Sequence, residues 1–152
     1  MYAASQRCVA VLQLLPEAGG WRLGAAARLR GHRRLVSCVD VEAGWVVTGS
    51  ADKTVRLWRP GEDGGCSYSL DRVLEGHFLK VSWPAAAAGA ECGAQVSCVR
   101  LRRPHCVSTS WDGTLRLWHV TTGTCLRVIE HRLHVESVSW CCRWVTRDSD
   151  EL

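Results

Sequence analysis

Two sets of residues in this chain contain the side-chain types of a nucleophilic hydrolase: a hydroxyl group, an imidazole and a carboxylate. They are His32 with Thr48 or Ser50 and Asp52, and His77 with Ser108 or Ser110 and Asp112. In a hydrolase the imidazole takes the hydroxyl proton and the carboxylate orients the imidazole. We interpret both sets as structural, because a catalytic relay is needed once and this combination occurs twice in a repeated stretch of sequence.

The repeated stretch predicts a β-hairpin in each copy. Residues 46–58 (VVTGSADKTVRLW) and 106–118 (CVSTSWDGTLRLW) each contain an alternating apolar run, a turn centred on aspartate and a second run that ends in tryptophan. Alternation with a period of two is typical of half-buried strands, and Asp-Lys or Asp-Gly between such runs is typical of hairpins. An isolated hairpin is marginal in water, so each copy is expected to be covered by another.

Further alternating runs extend each hairpin to a unit of four strands. One unit is predicted over residues 31–75 and a second over 76–130, the latter interrupted by an irregular inserted loop at 78–94. That loop is a tolerated surface insertion, a functional loop or aberrant sequence from an altered transcript. Residues 1–30 predict the second half of a unit (strands c and d), and residues 131–152 predict a truncated first half.

Gly-His, a strand, an aspartate and a tryptophan six residues later recur at a spacing of about 45 residues once the insertion is discounted. The sequence resembles the WD40 repeat family, whose propellers have four strands in each blade. The matching residues are Gly31, His32, Asp52, Trp58, Gly76, His77, Asp112 and Trp118. Neither tryptophan is followed by the aspartate of the family pattern, because Arg59 and His119 stand there instead.

The resemblance implies an all-β fold. We expect a fragment of a WD40 β-propeller with two full four-stranded blades and a half-blade at each end, arranged as an open arc. A closed propeller needs at least about four blades. We therefore expect a fragment, a short isoform or an incomplete gene model of a longer propeller. Its open blade edges are expected to favour self-association.

The resemblance also implies roles for particular side chains. In the family, the histidine before strand a, a serine or threonine on strand b and the tryptophan on strand c form a hydrogen-bonded network with the turn aspartate. The residues expected in it are His32, Thr48, Ser50, Asp52, Trp58, His77, Ser108, Ser110, Asp112, Trp118, His131 and Asp150. Partners commonly dock on the rim formed by the loop before strand a and the turn between strands b and c. The residues expected there are Arg33, Arg34, Lys53, Phe78 and Trp111, although Trp111 could instead pack against the neighbouring blade.

The function implied is that of a non-catalytic protein-interaction scaffold or adaptor. The repeat style also resembles the substrate-recognition propellers of ubiquitin ligases. A nucleic-acid or chromatin-binding module is the alternative, based on arginine clusters at 28–34 and 100–103, but the net charge of +4 is mild and no aromatic-interleaved basic stripe accompanies them. Other proteins are therefore the expected partners, rather than nucleic acid or membrane.

The cysteines indicate the compartment. There are nine, an odd number without a CxxC motif, which is typical of free thiols that serve as small apolar groups. We therefore expect an intracellular protein, cytoplasmic or nuclear. The set His131, His134, Cys141 and Cys142 has poor spacing for zinc, so neither a metal nor a cofactor is expected. Residues 8–15 resemble a signal-peptide core, but a strand explains them equally well.

Overall fold

The computed structural model describes residues 2–5, 7–62, 67–78 and 95–130, which form eleven strands and no helix. The bulk of the predicted insertion and the whole of residues 131–152, with His131 and Asp150, lie outside the described residues. The strands are β1 (Tyr2–Ser5), β2 (Cys8–Glu17), β3 (Gly20–Arg30), β4 (Val36–Glu42), β5 (Trp45–Ser50), β6 (Thr54–Pro60), β7 (Tyr68–Glu75), β8 (Val96–Arg102), β9 (His105–Ser110), β10 (Thr114–His119) and β11 (Thr124–Glu130).

The strands form three antiparallel sheets, each in the order of the chain. Strands β4–β7 are the first blade, strands β8–β11 are the second blade, and β1–β3 form an N-terminal sheet. The N-terminal sheet has one strand more than the sequence predicted, because β1 pairs with β2 through Tyr2 opposite Val11. The prediction of an all-β chain of four-stranded blades, open rather than closed, is confirmed. The boundaries assigned to the four units stay a prediction.

The turns of the two repeated hairpins (residues 46–58 and 106–118) have the same backbone conformation but different residues. Lys53 donates its N–H to the Ser50 carbonyl at 3.1 Å, and Gly113 donates to the Ser110 carbonyl at 3.1 Å. Both turn residues are left-handed, with φ of 71° at Lys53 and 76° at Gly113. This conformation costs a residue with a Cβ atom roughly 1–2 kcal/mol. The first blade therefore has a strained lysine where the second blade has an unstrained glycine.

Apolar side chains fill the space between the two blades. Residues of the first blade that include Val47, Leu57 and Leu74 pack against the second blade, where Leu101 and Trp118 are also buried. A second cluster joins the N-terminal sheet to the other face of the first blade, and its members are Val9, Val11, Ala27, Leu29, Val36, Val46 and Trp58. The first blade is thus covered on both faces, as the amphipathic strands require.

Polar contacts fix the first blade against the inner strand of the second. The Asp40 carboxylate accepts the Leu101 N–H at 2.9 Å, and the Glu42 carboxylate accepts the Arg103 N–H at 2.6 Å. The Arg103 guanidinium also stacks on the Trp45 ring, 4.2 Å from its centroid. Because these carboxylates accept backbone N–H groups of β8 and of the residue that follows it, they fix the position of that strand against the first blade.

The outer strands of the two blades differ in exposure. Leu74 of β7 and Ile129 of β11 occupy equivalent positions, opposite Val55 and Leu115 respectively. Leu74 is 1% exposed and Ile129 is 43% exposed. The second blade covers Leu74, and every residue of β11 is exposed.

Candidate functional site

A chain of buried hydrogen bonds crosses the first blade from tryptophan to aspartate. The Trp58 Nε1–H donates to the Thr48 hydroxyl at 3.0 Å, and this hydroxyl lies 2.7 Å from His32 Nε2. His32 Nδ1 lies 2.9 Å from an Asp52 carboxylate oxygen. In a neutral imidazole whose Nδ1–H is directed to the acceptor-only Asp52 carboxylate, Nε2 accepts the Thr48 hydroxyl, and the Thr48 oxygen accepts the indole N–H. His32 is thus assigned as the Nδ1–H tautomer, which donates to Asp52.

The second blade repeats this chain with serine in place of threonine. The Trp118 Nε1–H donates to Ser108 at 2.8 Å, Ser108 lies 2.7 Å from His77 Nε2, and His77 Nδ1 lies 3.2 Å from Asp112. The same proton order follows from the same donors. The 79–94 stretch separates His77 from the rest of its blade in sequence, yet His77 occupies the position that His32 has in the first blade.

Each aspartate is also the acceptor of its own turn. Asp52 accepts the Thr54 N–H at 3.1 Å, the Thr54 hydroxyl at 2.6 Å and the Arg33 N–H at 2.9 Å. Burial alone raises the pKa of the Asp52 carboxyl, but the hydrogen bonds from His32, Thr54 and Arg33 outweigh it and hold that pKa well below its ordinary value. The pKa of Asp112 is lowered in the same way, by His77 and Thr114 against the effect of burial.

Acid is expected to destabilise the chain through these two aspartates. A carboxyl whose pKa is lower in the folded state binds its proton more readily after unfolding, so stability rises with pH. The contribution is complete above the ordinary pKa of 3.8 and is lost as the pH falls from there towards the folded pKa. We expect the urea midpoint of the wild type to fall steeply below about pH 4, and that of Asp52→Asn/Asp112→Asn to fall less steeply from a lower starting value.

The control for this titration is Glu62→Gln, which removes an exposed carboxylate outside the network. Its midpoint should follow the wild type at every pH. Identical slopes for the wild type and the double asparagine variant would contradict the assignment of the acid response to these carboxylates.

The structure separates the roles of the two hydroxyl residues that the sequence left as alternatives. Thr48 and Ser108 bridge histidine and tryptophan. The Ser50 hydroxyl instead donates to the Leu35 carbonyl at 2.9 Å and accepts the Asp52 N–H at 3.1 Å, and Ser110 accepts the Asp112 N–H at 3.2 Å. The two outer serines therefore shape the turn.

Sequence reasoning missed one pair of network residues. The Thr54 and Thr114 hydroxyls each donate to the aspartate of their turn at 2.6 Å. A signal was present, because Asp-Lys-Thr and Asp-Gly-Thr place a threonine two residues after the aspartate in both copies. A hydroxyl at that distance can bond back to an aspartate, as in other local turns.

The buried network has the atom order of a hydrolase relay but no access to a substrate. Thr48 and Ser108 are fully buried, and each hydroxyl oxygen already accepts an indole N–H. A nucleophile needs an exposed oxygen with a free path to the reacting carbon. The arrangement can therefore hold β5 to β6, and β9 to β10, together with the loop that carries the histidine, and it offers no attacking group.

The rim lies at the end of the blades where these turns and loops meet. Trp111 is 49% exposed at the tip of the second-blade turn, and Phe78 is 67% exposed directly after His77. Arg33, Arg34 and Lys53 are exposed on the first blade. The five rim residues predicted from the sequence thus share one end of the two blades, and Trp111 keeps about half of its surface open.

Comparison with known proteins gives this arrangement a family. The family model described as "WD domain, G-beta repeat" matches residues 25–59 and 88–119. The chain carries WD40 repeats. The second match begins within the insertion, after Gly76 and His77. The family model therefore leaves out His77, although this residue occupies the same network position as His32 in the structure.

Relatives among curated proteins support the same family. The chain is 34% identical over 115 residues to "Nuclear distribution protein nudF" of Aspergillus niger, which covers 72% of this chain and 22% of that protein. It is 36% identical over 107 residues to "Small ribosomal subunit protein RACK1" of Trypanosoma brucei brucei, which covers 64% of this chain and 30% of that protein. The chain thus matches a third or less of either relative.

A solved structure shares the fold. The crystal structure of the computationally designed Ika4 protein matches 70% of this chain and 54% of its own, with a TM-score of 0.52 and 24% sequence identity. At this identity the likeness concerns the fold alone. It agrees with the open WD40 arrangement described above.

The glycine of the WD40 Gly-His pair has a packing reason in both blades. A Cβ atom at Gly76 would lie 3.0 Å from the Arg116 guanidinium and 3.0 Å from the Trp118 ring. At Gly31 an added Cβ would collide with the Arg56 guanidinium, and its φ of 152° also favours glycine. In both blades the loop that carries the Gly-His pair thus passes close to the tryptophan and its neighbouring arginine, and glycine allows this approach without displacing either side chain.

The remaining sequence expectations concern metals and membranes. Within the described ranges, no group of three or more His, Cys, Asp or Glu side chains could hold a metal ion. The zinc set considered at residues 131–142 lies outside those ranges. No helix in the described part of the chain is long and apolar enough to span a membrane.

Proposed function

We propose that this chain is a non-catalytic protein-interaction module that binds partner proteins through the rim. The observation that carries the proposal is the exposure of Trp111, 49% open at the tip of a turn that the Asp112 network holds in place. Tryptophan is among the side chains that are enriched at binding hot spots. Phe78 extends the apolar surface from the adjoining loop.

The geometry of the network supports a rigid display. In both blades the aspartate is held by hydrogen bonds from histidine and threonine. The turn that contains this aspartate therefore cannot move without breaking several hydrogen bonds. A preorganised surface loses less conformational entropy on binding than a mobile one. The relative from Trypanosoma brucei brucei is named as a ribosomal subunit protein, and membership of an assembly agrees with an adaptor role. A cytoplasmic or nuclear location is part of the proposal.

The test compares two exposed tryptophans. Trp111→Ala should lower the affinity for captured intracellular partner proteins about thirtyfold or more, the effect of removing a hot spot worth about 2 kcal/mol. Trp21→Ala is the matched control, because Trp21 is 72% exposed but lies on β3 of the N-terminal sheet. Quantitative affinity capture followed by mass spectrometry, with melting curves for both variants, measures the difference. Equal loss or equal retention in the two variants would refute a rim-based function.

A further inference from the structure

The rim is divided into a basic half and an aromatic half, one on each blade. The division follows from comparing equivalent positions. Arg33 and Phe78 each follow the network histidine, and Lys53 and Gly113 each occupy the left-handed turn position. The two blades share a backbone at these positions and differ in the side chains that they present.

The third pair of equivalent positions completes the pattern. The Ala51 N–H donates to the Leu35 carbonyl at 2.8 Å, and the Trp111 N–H donates to the Gln95 carbonyl at 3.0 Å. Alanine at the first tip leaves the basic side chains of its blade uncovered. Tryptophan at the second tip places a large apolar surface on the adjoining blade.

The positive charge of the basic half is directed to solvent. Arg33 and Lys53 are exposed, and within the described residues neither takes part in an ion pair. The carboxylate of the same turn, Asp52, is almost fully buried and is directed towards His32 and Thr54. It pairs with His32 and not with Arg33 or Lys53, whose charged ends stay available to a ligand.

Lys53 provides a second reason to associate this charge with function. It adopts φ of 71° at a position where the second blade has glycine. Strained residues are concentrated at functional sites, where the side chain is needed despite the backbone cost. A glycine would form this turn more easily and would remove the charge.

We propose that the rim binds an acidic peptide segment of a partner protein in which a group of carboxylates adjoins one large apolar side chain on one side. The carboxylates contact Arg33 and Lys53, and the apolar side chain packs on Trp111 and Phe78. This inference rests on the proposed function and adds the chemistry of its partner. A nucleic acid fits less well, because among the described residues the cations occupy one half of the rim and no basic track continues across the aromatic half.

The experiment uses the full chain and an array of fluorescein-labelled 12-residue peptides. Each peptide carries four aspartates and one leucine or tryptophan at varied spacing, and each has a twin with asparagine for aspartate. Acidic peptides should bind at least tenfold more tightly than their twins. Their affinity should fall about tenfold between 50 and 300 mM salt, because exposed charges are screened over these concentrations.

Variants distinguish the two halves of the rim. Arg33→Gln/Lys53→Gly should reduce binding of the acidic peptides about tenfold, and the fold should persist because Arg33 contributes only its N–H to the network and glycine forms the same turn in the second blade. Arg28→Gln is the matched control, an exposed arginine on β3. Trp111→Ala should weaken binding of acidic peptides and twins alike.

The outcomes separate this inference from the proposed function. If Trp111→Ala abolishes partner capture while Arg33→Gln/Lys53→Gly leaves capture unchanged, the rim functions but its acidic partner is refuted. Equal binding of acidic peptides and their twins refutes the inference as well. A labelled single-stranded DNA 20-mer that binds as tightly as the acidic peptides, with no dependence on Trp111, would identify the basic half as a nucleic-acid surface and overturn both.

Discussion

Gly49→Ala should lower the free energy of unfolding by about 3 kcal/mol, the upper part of the range for overpacked cores. Gly49 lies on β5 where the first blade meets the second. An added Cβ would lie 2.5 Å from Val96 Cγ1, 2.6 Å from Cys38 Sγ and 3.0 Å from Val99 Cγ1. Branching at Cβ restricts the χ1 rotamers of valine, so the neighbouring strand itself must move. Urea unfolding followed by tryptophan fluorescence measures the change.

Gly20→Ala is the matched control, since an added Cβ at Gly20 meets nothing within 4 Å. Its effect should stay within about 0.5 kcal/mol, as for other surface changes. Gly20 lies on β3, outside the contact between the two blades. If Gly49→Ala proved as mild as Gly20→Ala, the close contact of β5 with β8 would not exist in solution.

The sequence predicted the hairpins because each depends on local signals. Alternation, an aspartate turn and a terminal tryptophan all lie within thirteen consecutive residues, and the duplication supplied a second reading of the same pattern. Strands β5, β6, β9 and β10 are accordingly found where they were expected. The all-β fold is confirmed by these strands, and the WD40 family is confirmed by the matching family model.

The sequence could not choose between Thr48 and Ser50, because residues two apart in a strand face the same side. The two residues differ in how far they lie from the end of strand β5. Ser50 ends β5 and reaches the carbonyl of Leu35, whereas Thr48 lies one step further into the sheet, where the tryptophan and histidine meet. That difference is set by the cross-strand register, which the sequence pattern does not specify.

The contacts between blades were beyond the sequence for a different reason. In the sequence, Gly49 looks like a residue that merely weakens its strand. The structure shows why glycine stands there: β8, which begins at Val96, packs too closely for a side chain at this position. Asp40 and Glu42 on β4 correspond to Arg100 and Arg102 on β8, so the equivalent positions carry opposite charge. The internal repeat hides this difference in charge, because aligning the two copies draws attention to the residues that they share.

Thr48→Val should destabilise the first blade by about 3 kcal/mol, although it preserves the shape of the side chain. The hydroxyl accepts the Trp58 N–H and donates to His32 Nε2, and both partners are buried. Without it, two polar atoms lose their partner in an interior that water does not reach, at about 1–3 kcal/mol each. Thermal or urea unfolding measures this loss.

Thr48→Ser separates the hydroxyl from the methyl group. It deletes one buried methyl, worth about 0.8 kcal/mol, and keeps the oxygen that Ser108 provides in the second blade. The serine variant should therefore remain much closer to the wild type than the valine variant, and the Trp58 indole N–H should stay protected from hydrogen exchange only in the serine variant. The reverse order of stability would mean that packing, rather than the hydrogen-bonded network, holds strands β5 and β6 to the loop that carries His32.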